Sequence, residues 1–526
     1  MTRSIRTRII VIGAGVGGLT AAALLQQAGY DVTVLEAQTY PGGCASTYVH
    51  KGFRFESGAT VVGGFQPGGP HAIIGDVLGI EWPVRPHDPA WVTHLPDRSV
   101  ALTADNTDVL ARFPNTERFW QQQSRIADLA WKLSGEGLPW PPRTPAELAR
   151  LSTIGLKYFP RDLRLIPFAF SSVYDWLRWH GLHKDAAFVR FLDAQLLISA
   201  QTTTRHVNAL YGATALDLAR QGVYHVERGI GGIAQSLVDK LEALGGQMMY
   251  RQRVERIVVK NGRVTGVEAR KGRRAKSTTF IPAEFVIANM TPWDVNDLLG
   301  EASTSSLQAE VARRQPGWGA FVLHMGVQAD AVPPDFPDHH QVIETMDGPL
   351  GETRSVFMSL SPVWDDTRAP AGQRAVTVTT HTHVGQWWDL LRRGEAAYYA
   401  RKDDYMQRII NQIERVIPGF KDKLTLVLPG TPVTYNFYTD RHLGMVGGFP
   451  QTSLFRMRGP RTGLPNLRLV GDSIFPGQST AGVSLGALRV ANDVKRVLPL
   501  ASHVDTTATG RASHQPEPDA ITETPA

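Results

Sequence analysis

The feature that most constrains the fold is a glycine-rich turn near the N-terminus, within the run RIIVIGAGVGGLTAAALLQQAGYDVTVLE. An apolar stretch, Ile9 to Ile12, precedes the glycines, and an Ala/Leu-rich stretch of helical length follows them. A second apolar stretch, Val32 to Leu35, ends at Glu36. Short apolar runs bounded by turn residues are typical of buried strands. The pattern therefore predicts a compact strand–helix–strand unit rather than a membrane anchor.

The spacing of the glycines points to a dinucleotide. Gly13, Gly15 and Gly18 fit G-x-G-x-x-G, with Gly17 inside the motif. The first glycine permits the tight turn, the second lets a pyrophosphate approach the backbone, and the third lets the helix pack on the strand. Glu36 lies 18 residues after Gly18, near the ~20 expected for a carboxylate that holds a ribose hydroxyl and disfavours a 2′-phosphate. The alternative is a glycine turn without a ligand.

A second glycine loop follows in PGGCAST, from Pro41 to Thr47. Gly42 and Gly43 would lie along the same ligand, although an ordinary surface turn is the alternative. Cys44 is the only cysteine of the 526 residues, which excludes an intrachain disulfide and makes the cytoplasm the default location. We interpret it as a small residue filling a tight loop, in preference to a redox thiol or a flavin attachment point.

The C-terminal stretch LRLVGDSIFPGQSTAGVSLGALRVANDV has the form strand, polar loop, helix. Asp472, after Gly471, would stand at the carboxyl end of a parallel strand, where it can bind sugar or ribitol hydroxyls. A helix starting near Gly482 and Val483 would direct its positive end at the negative charge of a reduced flavin ring. The alternative is an aspartate that only caps the next turn.

Charge and aromatic content suggest a membrane surface. The formal net charge is +6 and the pI about 9.3, which suits an anionic partner, although a soluble protein that happens to be basic is an equal alternative. Basic and aromatic residues mix from Gly155 to Leu182, a stretch too short and too charged to span a bilayer but suited to dipping into one. The alternative is a core-packing segment with solvated arginines.

We predict no metal site and no nucleic-acid partner. The histidine pairs His339 with His340 and His381 with His383 lack metal-ligand spacing. They are interpreted as a loop pair and a strand pair of solvated imidazoles.

The dinucleotide-like pieces lie at the start, middle and end of the chain, so the cofactor domain is predicted to be discontinuous. Residues 1–100, 223–300 and 459–500 are assigned to it. Residues 101–222 and 301–458 are assigned to a substrate-binding and membrane-facing domain, and 501–526 to a disordered tail.

Taken together, GAGVGGL, PGGCAST, GFRFESGAT and LVGDSIFPGQSTAGV resemble the carotenoid desaturases of the phytoene desaturase and carotenoid isomerase superfamily. The similarity covers nearly the whole chain and is greatest to the C-3′,4′ desaturases of cyanobacterial type. It implies an α/β fold with a Rossmann-like FAD-binding domain of the glutathione reductase/amine oxidase type and a mixed substrate domain. It also implies that Val254 lies on the strand that pairs with adenine. Glu56 departs from the aspartate usual in the family.

The resemblance implies an FAD-dependent oxidoreductase that introduces a C=C bond, at C-3′,4′, into an acyclic-ended, 1′-hydroxylated carotenoid. A quinone or oxygen would reoxidise the flavin, and the protein would lie at the inner face of the membrane. Arg441 and His442 are the only candidates for polar groups near the reacting end, with a structural turn as the alternative. A carotenoid cis-trans isomerase, an amine oxidase and a non-enzymatic prenyl-lipid escort protein are the competing hypotheses.

Overall fold

The computed structural model describes residues 7–500, so the predicted disordered tail at 501–526 lies outside the described residues. The strands are β1 Arg8–Ile12, β2 Asp31–Leu35, β3 Thr47–His50, β4 Phe53–Glu56, β5 Val62–Gly63, β6 Val84–His87, β7 Trp91–His94, β8 Ser99–Leu102, β9 Val223–Val226, β10 Gln247–Met249, β11 Gln252–Lys260, β12 Arg263–Lys271, β13 Thr279–Pro282, β14 Phe285–Ala288, β15 Trp318–Gln328, β16 His339–Ile343, β17 Ser355–Leu360, β18 Gln373–His383, β19 Leu424–Gly430 and β20 Leu467–Leu469. The helices are α1 Val16–Gln27, α2 Pro70–Leu78, α3 Thr107–Arg112, α4 Glu117–Gly135, α5 Pro145–Tyr158, α6 Ile166–Ala169, α7 Val173–Trp179, α8 Ala186–Ala200, α9 Ala209–Ala215, α10 Leu218–Gln221, α11 Gly231–Ala243, α12 Pro292–Leu299, α13 Ser305–Arg313, α14 Val384–Arg393, α15 Glu395–Val416, α16 Pro432–Thr439 and α17 Ser479–Val497.

A five-stranded sheet forms the centre of the nucleotide-binding region. Its order is β10-β2-β1-β14-β20, and every pairing in it is parallel. In chain order this reads third, second, first, fourth, fifth, which is the arrangement of a Rossmann-type sheet. The predicted strand–helix–strand unit is β1, α1 and β2, so this prediction and the α/β fold class are confirmed.

Helices cover this sheet, and α1 is buried on all sides. Residues Val16 to Gln26 of α1 are buried without exception, because α11 and α17 both pack against it. An Ala/Leu/Gly composition suits this position, since small side chains let neighbouring helices approach closely and leave no polar group without a partner. The core around α1 is continuous with that of the β11-β12-β13 meander.

A second, seven-stranded sheet has the order β19-β15-β18-β17-β16-β7-β8. Its pairings are antiparallel except for β16 with β7, which is parallel. Strands β7 and β8 therefore pair with the inserted region, although they fall largely within the predicted cofactor segment 1–100. The domain boundaries themselves stay a prediction.

Helices α3 to α10 form a layer with a separate apolar core, centred on aromatic residues such as Phe119, Trp176, Phe188 and Phe191. Within residues 7–500, no helix combines the length and the apolar character needed to cross a bilayer.

Candidate functional site

The site begins where the strand order of the parallel sheet reverses, between β1 and β14. Gly13 follows β1, and its N–H donates to the Leu35 carbonyl at 2.8 Å, while the Asn289 N–H after β14 donates to the Ile12 carbonyl at 2.8 Å. In open α/β sheets, ligands bind in the crevice outside the carboxyl ends of the strands at this reversal. The predicted glycine turn therefore lies where a dinucleotide is expected.

Asn289 is a central residue that the sequence analysis missed. A side chain at Gly15 would place its Cβ 2.4 Å from Asn289 Nδ2, and one at Gly471 would lie 2.7 Å from Asn289 Oδ1. Asn289 Nδ2 also lies 3.5 Å from the Gly13 carbonyl oxygen. Asn289 thus connects the N-terminal and C-terminal motifs. The available signal was a polar residue directly after the apolar strand FVIA, the same signal that identified Asp472.

The N-terminal glycines meet both of the other predicted loops. The C-terminal loop is close, because a Cβ at Gly17 would lie 3.2 Å from Gly471 Cα. Within the N-terminal motif itself, a Cβ at Gly18 would lie 2.4 Å from the Gly13 carbonyl oxygen. The second loop is equally close, because Gly15 and Gly42 form an isolated parallel bridge. The Gly42 N–H donates to the Ala14 carbonyl at 2.8 Å.

Gly42 needs to be glycine on conformational grounds as well. Its φ is +114°, and a Cβ there would lie 2.7 Å from Ser46 Cα. Gly43, with φ +59°, would place a Cβ 3.6 Å from Gly15 Cα. The two predicted glycine loops therefore run side by side.

Glu36 stands at the end of β2 and faces the glycine turn. Its Oε2 accepts from the Ala14 N–H and its Oε1 from the Gln38 N–H, both at 2.8 Å. Burial raises the pKa of the Glu36 carboxyl, and the two backbone hydrogen bonds oppose that shift. The Gln252 N–H donates to the Glu36 carbonyl at 2.8 Å. Val254 is buried on β11, two residues after Gln252.

Asp472 and Arg441 form an ion pair at the opposite end of the site. Arg441 Nη2 lies 3.0 Å and 3.2 Å from the two carboxylate oxygens of Asp472, and Nε donates to the Met445 carbonyl at 3.0 Å. Burial raises the pKa of the nearby Cys44 thiol, and the charge of Arg441 opposes that shift. The neighbouring His442 points elsewhere, because its ring stacks on Trp293 with centroids 5.0 Å apart and an interplanar angle of 5°. Of the two candidate polar residues, only Arg441 contacts the C-terminal motif.

Helix α17 begins at Ser479, three residues before the predicted start near Gly482. Gly482 lies in the first turn, where its N–H donates to Ser479 Oγ at 3.1 Å. A Cβ at Gly482 would lie only 1.9 Å from the Gly477 carbonyl oxygen. Val483 follows it and packs partly buried against the core of the parallel sheet. The loop and the helix start are therefore closely packed.

The first turn of α1 has the features that an anion site requires. Within the described chain, Gly15 at its N-cap makes no side-chain cap, and the turn contains no acidic residue. The N-terminal N–H groups of a helix need acceptors and carry partial positive charge. A pyrophosphate fits both requirements.

The interpretation of His339 and His340 as a solvated loop pair is wrong. Both are buried, each 1% exposed, and both belong to β16. Burial lowers the pKa of His339 well below its ordinary value, so its imidazole is neutral. Two adjacent histidines carry no alternating pattern, which is why this strand was not recognised. His381 and His383 lie on β18, as predicted. His383 is exposed, but His381 is not solvated as expected, because burial lowers its pKa to about 4.

Comparison with known structures defines the class of fold. A family model described as an NAD(P)-binding Rossmann-like domain matches residues 11–72, which include both glycine loops and Glu36. An oxidoreductase from Methanosarcina mazei is 18% identical with a TM-score of 0.63, covering 92% of this chain and all of that one. A putrescine oxidase is 16% identical with a TM-score of 0.60, covering 94% and 99%. The chain thus has the fold of these oxidoreductases.

Comparison with curated proteins narrows the class. A chloroplastic prolycopene isomerase from Arabidopsis thaliana is 29% identical over 510 residues, which is 92% of this chain and 82% of the relative. The corresponding carrot (Daucus carota) protein is 28% identical over 518 residues, or 93% and 80%. A lycopene-forming phytoene desaturase from Paracoccus sp. is 26% identical over 508 residues, or 90% and 94%. The resemblance to the phytoene desaturase and carotenoid isomerase superfamily is confirmed.

Proposed function

We propose that the chain is an FAD-dependent carotenoid desaturase. The observation that carries this proposal is the convergence of three glycine-containing segments, remote in sequence, at the reversal point of one parallel sheet. It is supported by relatives named as phytoene desaturases that align with 90% of the chain. As the finer assignment we propose C-3′,4′ desaturation of an acyclic-ended, 1′-hydroxylated carotenoid, with a quinone or oxygen as electron acceptor.

The residues present fit FAD. The uncapped first turn of α1 would receive the pyrophosphate, Glu36 the adenosine ribose, and the strand at Val254 the adenine. Asp472 would bind ribitol hydroxyls. The remaining proposed contacts are the glycine backbones and the α17 start: Gly13, Gly15, Gly17, Gly18, Gly42, Gly43, Gly471, Gly482 and Val483.

Bound FAD would supply a two-electron acceptor for a hydride from the substrate. The chain's own contribution is positioning and electrostatics. Arg441 holds Asp472 in one orientation through both carboxylate oxygens. The N-terminus of α17 places partial positive charge beside the loop at Gly477, where negative charge is stabilised. Asn289 fixes the spacing between the two motifs.

Exposed apolar side chains in the segment 156–179, called the apolar row below, support contact with a membrane surface. Leu156, Phe159, Phe170 and Trp179 are 76, 62, 74 and 53% exposed and lie on or beside α5, α6 and α7. Phe455 extends the row, because its ring stacks on Phe170 with centroids 5.1 Å apart. Lys157, Arg161 and Arg164 lie in the same stretch of chain. Exposed aromatic and aliphatic side chains with lysine and arginine nearby are typical of interfacial segments. We therefore propose that this row rests on the inner face of the membrane and receives the carotenoid from it.

Vesicle flotation tests the membrane proposal. Vesicles containing anionic lipid should carry the wild-type protein at low salt, whereas Phe159→Ser with Phe170→Ser should leave most of it at the bottom of the gradient. Phe280→Ser removes an exposed aromatic from β13, outside the row, and should float like the wild type. Absence of wild-type flotation, or equal loss in both variants, contradicts the proposal.

The activity is tested by mixing the FAD-loaded protein anaerobically with a 1′-hydroxylated acyclic carotenoid in liposomes. Desaturation lengthens the conjugated chain, so the polyene absorption should move to the red while the flavin absorption bleaches. A flavin that stays oxidised beside an unchanged polyene contradicts the proposal.

Carotenoid cis-trans isomerisation is the second candidate. The specific observation in its favour is the identity of 28–29% to prolycopene isomerases, compared with 24–26% to phytoene desaturases. In the same experiment an isomerase would change the isomer profile only with pre-reduced flavin, and without net electron transfer.

A further inference from the structure

Three histidines from two sheets meet at a point that the proposed flavin site does not use. His87 ends β6, His225 lies on the neighbouring strand β9, and His339 starts β16 of the seven-stranded sheet. Their ring centroids are separated by 4.5, 4.9 and 4.9 Å. One nitrogen from each ring lies within 4.8 Å of the other two.

Two nitrogens of the cluster lack protein partners. Across the described residues, neither His87 Nε2 nor His339 Nε2 has a hydrogen-bond partner, although both atoms are buried. His339 is only 1% exposed. A buried polar atom without a partner destabilises the fold, so such atoms call for a ligand.

One nitrogen on each of two rings is held by a neighbouring side chain. His339 Nδ1 lies 2.9 Å from Ser359 Oγ, and His225 Nε2 lies 3.0 Å from Asp338 Oδ2. Asp338 is itself fixed by Arg374. Metal-binding histidines are oriented in this way, with the second ring nitrogen donating to a carboxylate or hydroxyl oxygen. This leaves Nδ1 of His225 and Nε2 of the other two rings for a common ligand.

We infer that His87, His225 and His339 form a binding site for one divalent transition-metal ion of the zinc type. Neutral imidazole nitrogens are ligands that Zn²⁺ and its neighbours prefer, and three of them leave a fourth position for water. Bonds of about 2.0–2.1 Å in tetrahedral geometry require nitrogens about 3.4 Å apart, so each ring nitrogen needs to move inward by at most about 1 Å to complete the site. The ion would join the β5-β9-β6 sheet to the seven-stranded sheet.

The test uses full-length, tag-free protein, because an affinity tag would itself bind metal. After dialysis against a chelator, the protein is titrated with Co²⁺ and Zn²⁺. We expect one equivalent of Co²⁺ with the visible absorption of a tetrahedral site, displacement by Zn²⁺, and a higher Tm in the metal-bound form.

Two variants test the site: one removes a metal ligand, and the other removes the hydrogen-bond partner of a ligand. His87→Gln removes the least buried ligand and should weaken Co²⁺ binding at least about 10-fold, while Ser359→Ala keeps all three imidazoles and should weaken it about 10- to 100-fold. The control His383→Gln removes an exposed histidine on β18 and should bind Co²⁺ as the wild type does. Absence of stoichiometric binding to the folded wild type, or equal affinity in wild type and His87→Gln, overturns the inference.

Discussion

Replacing Gly482 by alanine tests whether the loop before α17 holds the flavin. The new Cβ would lie 1.9 Å from the Gly477 carbonyl oxygen, whereas real Cβ contacts stay beyond 3.0 Å. The loop must therefore move by about 1 Å, and overpacking of this kind costs about 1–3 kcal/mol. If that cost falls on the cofactor-bound conformation, the Kd for FAD rises about 5- to 150-fold. Titration of the apoprotein with FAD, followed by flavin fluorescence, measures the change.

Gly486→Ala is the matched control, because it adds the same methyl group to the same helix. Its Cβ would lie 3.6 Å from Ile474 Cδ1, an ordinary contact. We expect an unchanged Kd and a free energy of unfolding higher by about 0.4–1 kcal/mol, since alanine restricts the unfolded chain. An unchanged Kd for Gly482→Ala would refute the reasoning, because the packed loop would then have no bearing on the cofactor.

One buried ion pair and two buried titratable side chains can be tested by substitution, pH or chemical modification. Arg441→Met leaves the carboxylate of Asp472 without its partner, so it should lower the free energy of unfolding by about 3–5 kcal/mol in urea titrations. Arg392→Met removes an exposed pair with Asp389 and should cost less than about 1 kcal/mol; equal losses would contradict this assignment. Burial lowers the pKa of His324 to about 4 from 6.5. As the pH falls, the His324 imidazole therefore becomes protonated in the unfolded chain at a higher pH than in the folded chain. The free energy of unfolding should decrease by about 3 kcal/mol between pH 6.5 and 4. His324→Gln should flatten this part of the stability curve, and an unchanged slope would count against a neutral buried imidazole. Burial raises the pKa of the Cys44 thiol. The folded protein should therefore react far more slowly with a disulfide reagent at pH 8 than the protein unfolded in urea. Equal rates would disprove the raised pKa.

Local signals in the sequence predicted a large share of the fold. Asn-Gly between two strand-like runs is a hairpin signal, and in the β11–β12 hairpin both turn residues have positive φ, with Asn261 at 49° and Gly262 at 71°. These predictions succeeded because turn conformation and the spacing of apolar residues depend on residues within a few positions of each other.

Short-range patterns specified the strand–glycine–helix unit, the carboxylates at strand ends, and hence the α/β fold with a dinucleotide-type site. Tertiary structure alone decided the pairing of Arg441 with Asp472, the connecting role of Asn289 and the meeting of His87, His225 and His339. Each of these joins residues separated by between 31 and 276 positions. Such contacts depend on strand order and sheet packing, which no short-range pattern of residues specifies.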